Sequence, residues 1–301
     1  MKYEKPPKTV EEHIEVLNNR GLNIPDFERA KQYLRNIGYY RLSGYMYHLQ
    51  ENDGSHQFKD KVSFNDIILH YQFDKKLRAL TIEYLERVEV ALRARLTDYF
   101  AVNYGFFWYS QNDLYDDKSI YTLINAEISE RFENPQELFL KSFKGKYTSE
   151  SIPPSNMALE VLSLGKLARL YKGLSNDAEK IAIANDFGLP STVLSSWLVY
   201  LNNVRNICAH HGRLWNRGIT ADRPTIPSRK KYSFHGSLPN DFNRSFYGVT
   251  AMLDRLLYNI NPSNKFLEKL VCLIDEYPVI KTRFMGFPDN WREEPAWKTK
   301  E

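Results

Sequence analysis

The sequence predicts an all-α protein, and three observations carry that prediction. Apolar residues recur at helical rather than alternating spacing along most of the 301 positions. No long alternating run of β-branched residues interrupts them, and no glycine-rich phosphate loop follows a strand. Cap and stop residues bracket one segment after another. With 43% hydrophobic and 26% charged positions the chain can bury a substantial core, and 14% aromatic residues argue for dense packing rather than disorder.

Taken in order, Asp26 caps the segment FERAKQYLRNI, which stops at Gly38, a residue suited to the left-handed geometry on which helices end. A short aromatic helix follows from Tyr39 to Leu49, and ENDGSHQF reads as a turn-rich connector closing an N-terminal accessory unit over positions 1–62. Ser63 and Asp66 form a capping box. Beyond it, Phe73, Leu77, Leu80, Tyr84, Val88, Leu92, Leu96 and Tyr99 mark one helix from about Phe64 to Val102. At 1.5 Å per residue that is about 55–60 Å, the spine of a bundle. On its other face lie Glu86, Glu89 and Arg93, with acid-first i,i+4 pairs at Asp74–Arg78 and Glu89–Arg93, which read as a solvated or pair-laced surface.

From Asn112 to Pro154 the sequence is polar and punctuated, an insertion or lid with one helix around Ile120–Phe132 and a lysine-rich loop at Lys141, Lys144 and Lys146. Helices resume over Met157–Lys172 and Asp177–Phe187, then from Ser191 to just before Gly212, with Asn176 and Ser191 as caps and Pro190 just ahead. Helices over Arg244–Asn259 and Lys265–Glu276 complete the reading: a bundle over 63–262 and a packed tail over 263–301.

Two cysteines, Cys208 and Cys272, exclude a disulfide framework, and neither sits in a CxxC pair, so a reducing compartment is expected and a structural zinc is not. The N-terminus MKYEKPPKTVEEHIEVL lacks the apolar run of a secretory signal or membrane span, so a cytoplasmic protein with no membrane association is expected. The net charge of +4 is unevenly spread, with +1, −3 and +6 over positions 1–62, 63–200 and 201–301. Arg205, Arg213, Arg217, Arg223, Arg229, Lys230 and Lys231 stand against the single acid Asp222. Such a strip attracts a polyanion such as RNA, though it also reads as a solvated loop.

The helix from Ser191 is apolar on most sides, through Val193, Leu194, Trp197, Leu198, Tyr200, Leu201 and Val204. Its far end breaks that pattern. Asn202, Asn206 and His210 fall four residues apart on one stripe, flanked by Asn203 and Arg205. Polar groups at the end of a buried helix need partners, a substrate or water. Arg205 and His210 are about 140° apart around an ideal helix and about 7.5 Å apart along it. One phosphate can touch both if the arginine wraps around, if the last turn loosens, or if two copies complete the site across a twofold axis. Cys208 has no further ligand or acidic orienter beside it, which argues against a thiol nucleophile.

Arg-Asn-Ile-Cys-Ala-His-His at Arg205–His211 resembles the arginine, polar residue, four-residue gap and histidine motif of HEPN-domain ribonucleases. The wider chain, through IGYYRLSGYMY, FDKKLRAL and RNICAHHGRLWNR, is similar to the Abi-like family of phage abortive-infection proteins, AbiD and AbiF, over roughly positions 10–260. Arg41–His48 and Arg229–His235 carry a similar spacing without the buried helix ending, the adjacent asparagine or the doubled histidine. The resemblance implies a HEPN-like bundle, a homodimer with a paired active site, and a toxin held inactive until infection by a structured small RNA or an antitoxin protein.

The chemistry these residues suit is RNA cleavage without a metal or other cofactor, in which the 2′-hydroxyl attacks the adjacent phosphate. His210 transfers protons near neutral pH, Arg205 holds the phosphoryl oxygens, and Asn206 orients the ring or the phosphate. His211 is either a second proton-transfer group or a helix terminator, the latter favoured by the dipole at a helix C-terminus. Arg213, Arg217, Lys230 and Lys231 are candidate phosphate-backbone contacts, and Tyr39, Tyr40, Tyr45 and Tyr47 are either base-stacking or core residues. Two rival readings keep the fold: an RNA-binding or scaffolding module without catalysis, or Arg205 capping its own helix end with His210 in a core niche.

Overall fold

Side chains close the first helices of the computed structural model, which describes residues 2, 4, 6–219, 222–227, 242–294 and 297. Thr9 opens α1 (Val10–Asn19) with a full capping box to Glu12. Asp26 accepts the Arg29 amide to open α2 (Phe27–Ile37), and Gly38 ends it at φ +89°. The aromatic segment then breaks into α3 (Tyr39–Ser43) and a single 3-10 turn at Tyr47–Leu49. At Ser63 the box is inverted: the Asp66 carboxylate takes both the Ser63 amide (2.8 Å) and its hydroxyl (2.7 Å). From there α4 (Phe64–Tyr104) runs unbroken, two residues past the predicted end.

Among the described residues there is no strand, only isolated bridges, as an all-α protein requires. No described helix is long and apolar enough to cross a membrane. The chain forms two compact units, Met1–Arg78 with Val271–Thr282, and Ala79–Leu270 with Arg283–Glu301.

The first unit buries Ile14, Leu17, Ala30, Leu34, Leu42, Ile67, Phe73 and Leu77. Through that core runs a polar stripe on α4, His70, Asp74 and Arg78, spaced i, i+4, i+8 and exposed by only 2%, 0% and 6%. Asp74 and Arg78 do pair as their spacing predicts, but the pair is buried rather than solvated, and the Tyr45 hydroxyl donates to the same carboxylate oxygen at 2.6 Å. Burial and the neighbouring carboxylate push the Tyr45 phenol well above its ordinary range.

In the second unit the stretch expected as an insertion or lid holds the helix expected around Ile120–Phe132 and a second one in place of the lysine-rich loop. α5 (Lys118–Glu133) buries Ile124, Ile128 and Phe132, and the lysine-rich stretch is itself a helix, α6 (Leu138–Lys146). Lys144 donates to the Phe132 and Glu133 carbonyls at 3.1 and 2.8 Å, satisfying the orphan end of α5. The helix expected over Met157–Lys172 is broken into α7 (Ser155–Ala158) and α8 (Leu164–Gly173). Arg93 of α4 takes up the carbonyls that the break leaves, Leu159 at 3.0 Å and Leu162 at 3.1 Å, while its ion pair with Glu89 holds at 3.0 Å. α9 (Ala178–Asp186) and α10 (Ser191–Ala209) follow, with Pro190 in the cap position and Asn176 accepting the Ser191 hydroxyl at 2.6 Å. α11 (Phe246–Ile260) and α12 (Phe266–Glu276) complete the described α-helices, and residues of α12 from Val271 onward belong to the first unit.

Candidate active site

Burial along most of its length positions α10. Trp197, Leu198, Tyr200, Leu201 and Val204 are all within 1% of full burial, each contributing about 1.5–3 kcal/mol in apolar transfer. α8 packs alongside, antiparallel: Asn176, just beyond the end of α8, meets Ser191 at the start of α10, and Gly165 in the first turn of α8 meets Asn202 near the other end. The Asn202 amide lies 3.0 Å from where a Gly165 Cβ would stand, so an alanine there makes the asparagine side chain give way by a few tenths of an ångström. Lys166, the next residue, pairs with Glu127 of α5 at 3.0 Å.

Toward its C-terminus α10 turns polar and emerges. Arg205 and Asn206 are half-buried, and His210 and His211 are exposed. The exposure of His210 overturns the reading that places it in a core niche. Among the described residues the Arg205, Asn206 and His210 side chains make no hydrogen bond or ion pair, so Arg205 does not cap its own helix.

The helix keeps its register to the end. The His210 amide donates to the Asn206 carbonyl at 3.0 Å, so the last turn does not loosen, and Asn206 and His210 lie one turn apart on one stripe. Arg205 and His210 therefore stay about 140° apart around the axis. The chain reverses at His211, φ +56°, whose amide donates to the Cys208 carbonyl at 3.0 Å, while Gly212 donates to the Ile207 carbonyl at 2.7 Å. These two bonds are a Schellman closure with a histidine in the left-handed position usually given to glycine. His211 thus terminates the helix through its backbone. Cys208 is 2% exposed, inside the helix.

Arg213 is half-buried and Arg217 exposed, the Arg217 guanidinium lying against Gly212. Past them the basic strip does not stay in one place. Thr225 donates to the Ser196 hydroxyl and accepts from the Trp197 indole, both at 2.8 Å, so residues 222–227 run back beside the first half of α10. That is about 20 Å from His210 at 1.5 Å per residue. Lys230 and Lys231 lie outside the described residues. Of the four tyrosines weighed for stacking, Tyr45 is buried in the first unit and Tyr39 stacks on His13 at 4.1 Å, while Tyr40 and Tyr47 are exposed. The placement of Gly165 over Asn202 was missed in the sequence, where a glycine in an amphipathic helix is the only signal.

What these features define is an all-α protein with a polar helix terminus, beside basic residues, at which the Arg205, Asn206 and His210 side chains meet no partner among the described residues. Residues 32–216, well over half of the chain and including all of α10, match the family model described as Abi-like protein, and the chain belongs to that family. Membership points to abortive-infection defence against phage. No curated protein and no solved structure gives a match.

Proposed function

We propose that this Abi-like protein is an endoribonuclease of HEPN type that cleaves RNA by attack of the 2′-hydroxyl on the neighbouring phosphate. The observation that carries the reading is the end of α10. There a guanidinium, a carboxamide and an imidazole emerge from a buried helix with no protein partner among the described residues, inside the segment that matches the family.

Because Arg205 and His210 do not share a face, the site is composite: a second copy supplies the groups that one copy cannot bring to the same phosphate. His210 takes the proton of the attacking 2′-hydroxyl as the new phosphorus–oxygen bond forms, and the partner's His210 gives a proton to the departing 5′-oxygen. The products are a 2′,3′-cyclic phosphate and a 5′-hydroxyl. Arg205 holds the phosphoryl oxygens as negative charge builds, Asn206 orients His210 one turn away, and Arg213 and Arg217 hold the RNA backbone. A small RNA or an antitoxin protein restrains the enzyme until infection.

The test is cleavage of a labelled single-stranded RNA by the full chain in the presence of a chelator. The wild type cuts and His210→Ala loses activity by about 10²-fold or more. Equal turnover in the variant contradicts the assignment, and RNA binding without cleavage by the wild type supports the scaffolding module instead.

A further inference from the structure

The first unit carries the two most exposed aromatic side chains among the described residues, Tyr40 at 92% and Tyr47 at 64%. Both stand on the stretch Gly38–Gln50, which coils through α3 and on into the 3-10 turn at Tyr47–Leu49. Amide-to-carbonyl bonds three residues apart, from Tyr45 to Leu42, Met46 to Ser43, Leu49 to Met46 and Gln50 to Tyr47, hold the coil at 2.8–3.3 Å. Its inner side is pinned: Leu42, Tyr45 and Met46 are at most 2% exposed, and the Tyr45 hydroxyl is bound to Asp74. Tyr40 and Tyr47 are therefore about two turns apart, about 10–14 Å along the coil, on a backbone that is already ordered.

One exposed ring is ordinary, but two on a pinned coil make a platform. The half-buried residues between them, Ser43 and Gly44, are small, and the Ser43 hydroxyl is turned onto the Tyr40 carbonyl at 2.7 Å. Gly38–Gln50 contains no acid, and its one Lys or Arg, Arg41, is exposed. A cation is also held at the chain neighbour of each ring. The Arg20 guanidinium donates to the Tyr39 hydroxyl at 3.4 Å, and the Lys59 ammonium donates to the His48 carbonyl at 3.0 Å.

We propose that this face binds single-stranded nucleic acid, with one base stacked on Tyr40, one on Tyr47, and the strand attracted by Arg20, Arg41 and Lys59. Every base has a π-face and every linkage a phosphate, so such a surface takes unpaired bases without reading their sequence and disfavours a duplex, whose bases are already stacked. No aliphatic residue of Gly38–Gln50 is exposed beside the rings to enter a bilayer or a protein pocket, and the exposed groups, aromatic and basic, match a polyanion of stackable rings. The face shares no residue with the end of α10, and the inference does not depend on cleavage there.

The test uses the full chain carrying His210→Ala, Arg213→Gln and Arg217→Gln, so that a strand is neither cut nor held at the end of α10. Fluorescence anisotropy reads the binding of a labelled mixed-sequence strand of about 12 nucleotides, made once as RNA and once as DNA. Tyr40→Ala and Tyr47→Ala are each expected to weaken binding about tenfold without lowering the melting temperature. Phenylalanine at either position is expected to keep the affinity and leucine to lose it. Whichever strand binds more tightly identifies the sugar. Ultraviolet cross-linking of the chain without these tyrosine changes is expected to attach the strand at Tyr40 or Tyr47, a readout that needs no variant of the platform to fold. Unchanged affinity in both alanine variants, equal affinity with leucine and phenylalanine, a duplex that depends on the tyrosines as strongly as the single strand, or adducts confined to other residues would each overturn the proposal. Loss of self-association in the alanine variants with strand binding unchanged assigns the face to a second copy of the chain, and equally overturns it.

Discussion

The amide of Gly212 reaches back 2.7 Å to the carbonyl of Ile207, and with the bond from the His211 amide to Cys208 it turns the chain at the end of α10, where His210 is exposed. A Cβ on Gly212 would stand 3.1 Å from the same carbonyl oxygen and 3.3 Å from the Ile207 side chain. Gly212→Ala is therefore expected to cost about 1 kcal/mol in denaturant unfolding. It is also expected to lower RNA cleavage by more than that loss of folded protein accounts for, because the turn that presents His210 is displaced.

Gly165 and Asn202 are coupled through space. Gly165→Ala pushes the Asn202 amide from its seat against α8, with an expected loss of about 1–2 kcal/mol. In Asn202→Ala the obstruction is gone, so adding Gly165→Ala to that variant is expected to cost little. A double-mutant cycle by urea unfolding reads the difference, and additive losses would show that the two do not meet.

Asp74 holds a buried guanidinium and a buried phenol at once. Asp74→Asn leaves Arg78 charged and uncompensated, an expected loss of about 3–5 kcal/mol. Tyr45→Phe removes one hydrogen bond from a carboxylate that keeps its arginine, an expected loss of about 1–3 kcal/mol. Unfolding midpoints of the two variants check the order.

Burial depresses the His70 pKa, so the unfolded chain binds its proton first as the pH falls. The contribution of His70 to stability is then fully present above the ordinary imidazole value of about 6.5 and is lost as the pH drops through the lower folded value. The difference in melting temperature between wild type and His70→Gln is expected to be constant from pH 8 to 7 and to move against the wild type between pH 6.5 and 5. A difference independent of pH would contradict this.

How much was legible in the sequence follows from the reach of each interaction. Asp26, Gly38 and the span of α4 were readable because caps and periodicity act within a few residues. The emergence of polar groups at the end of α10 was readable for the same reason. The burial of Asp74 and Arg78 was not, since an acid-first i,i+4 pair looks the same on either face and the deciding partner, Tyr45, is 29 residues away. Likewise, the break before α8 is held by Arg93, 66 residues from Leu159, and α5 is closed by Lys144, whose stretch read as a loop. The return of residues 222–227 along α10 rests on Ser196 and Trp197, so a basic strip continuous in sequence is divided in space.

The central claim is that the groups at the end of α10 act on a phosphate beside a free ribose 2′-hydroxyl. A labelled RNA with one 2′-deoxy nucleotide placed at a cleaved bond tests it most directly. Loss of cutting at that bond alone, with 2′,3′-cyclic phosphate ends at the remaining sites, is the predicted result. Continued cutting at the deoxy position, or products ending in a 5′-phosphate and a 3′-hydroxyl, would contradict it.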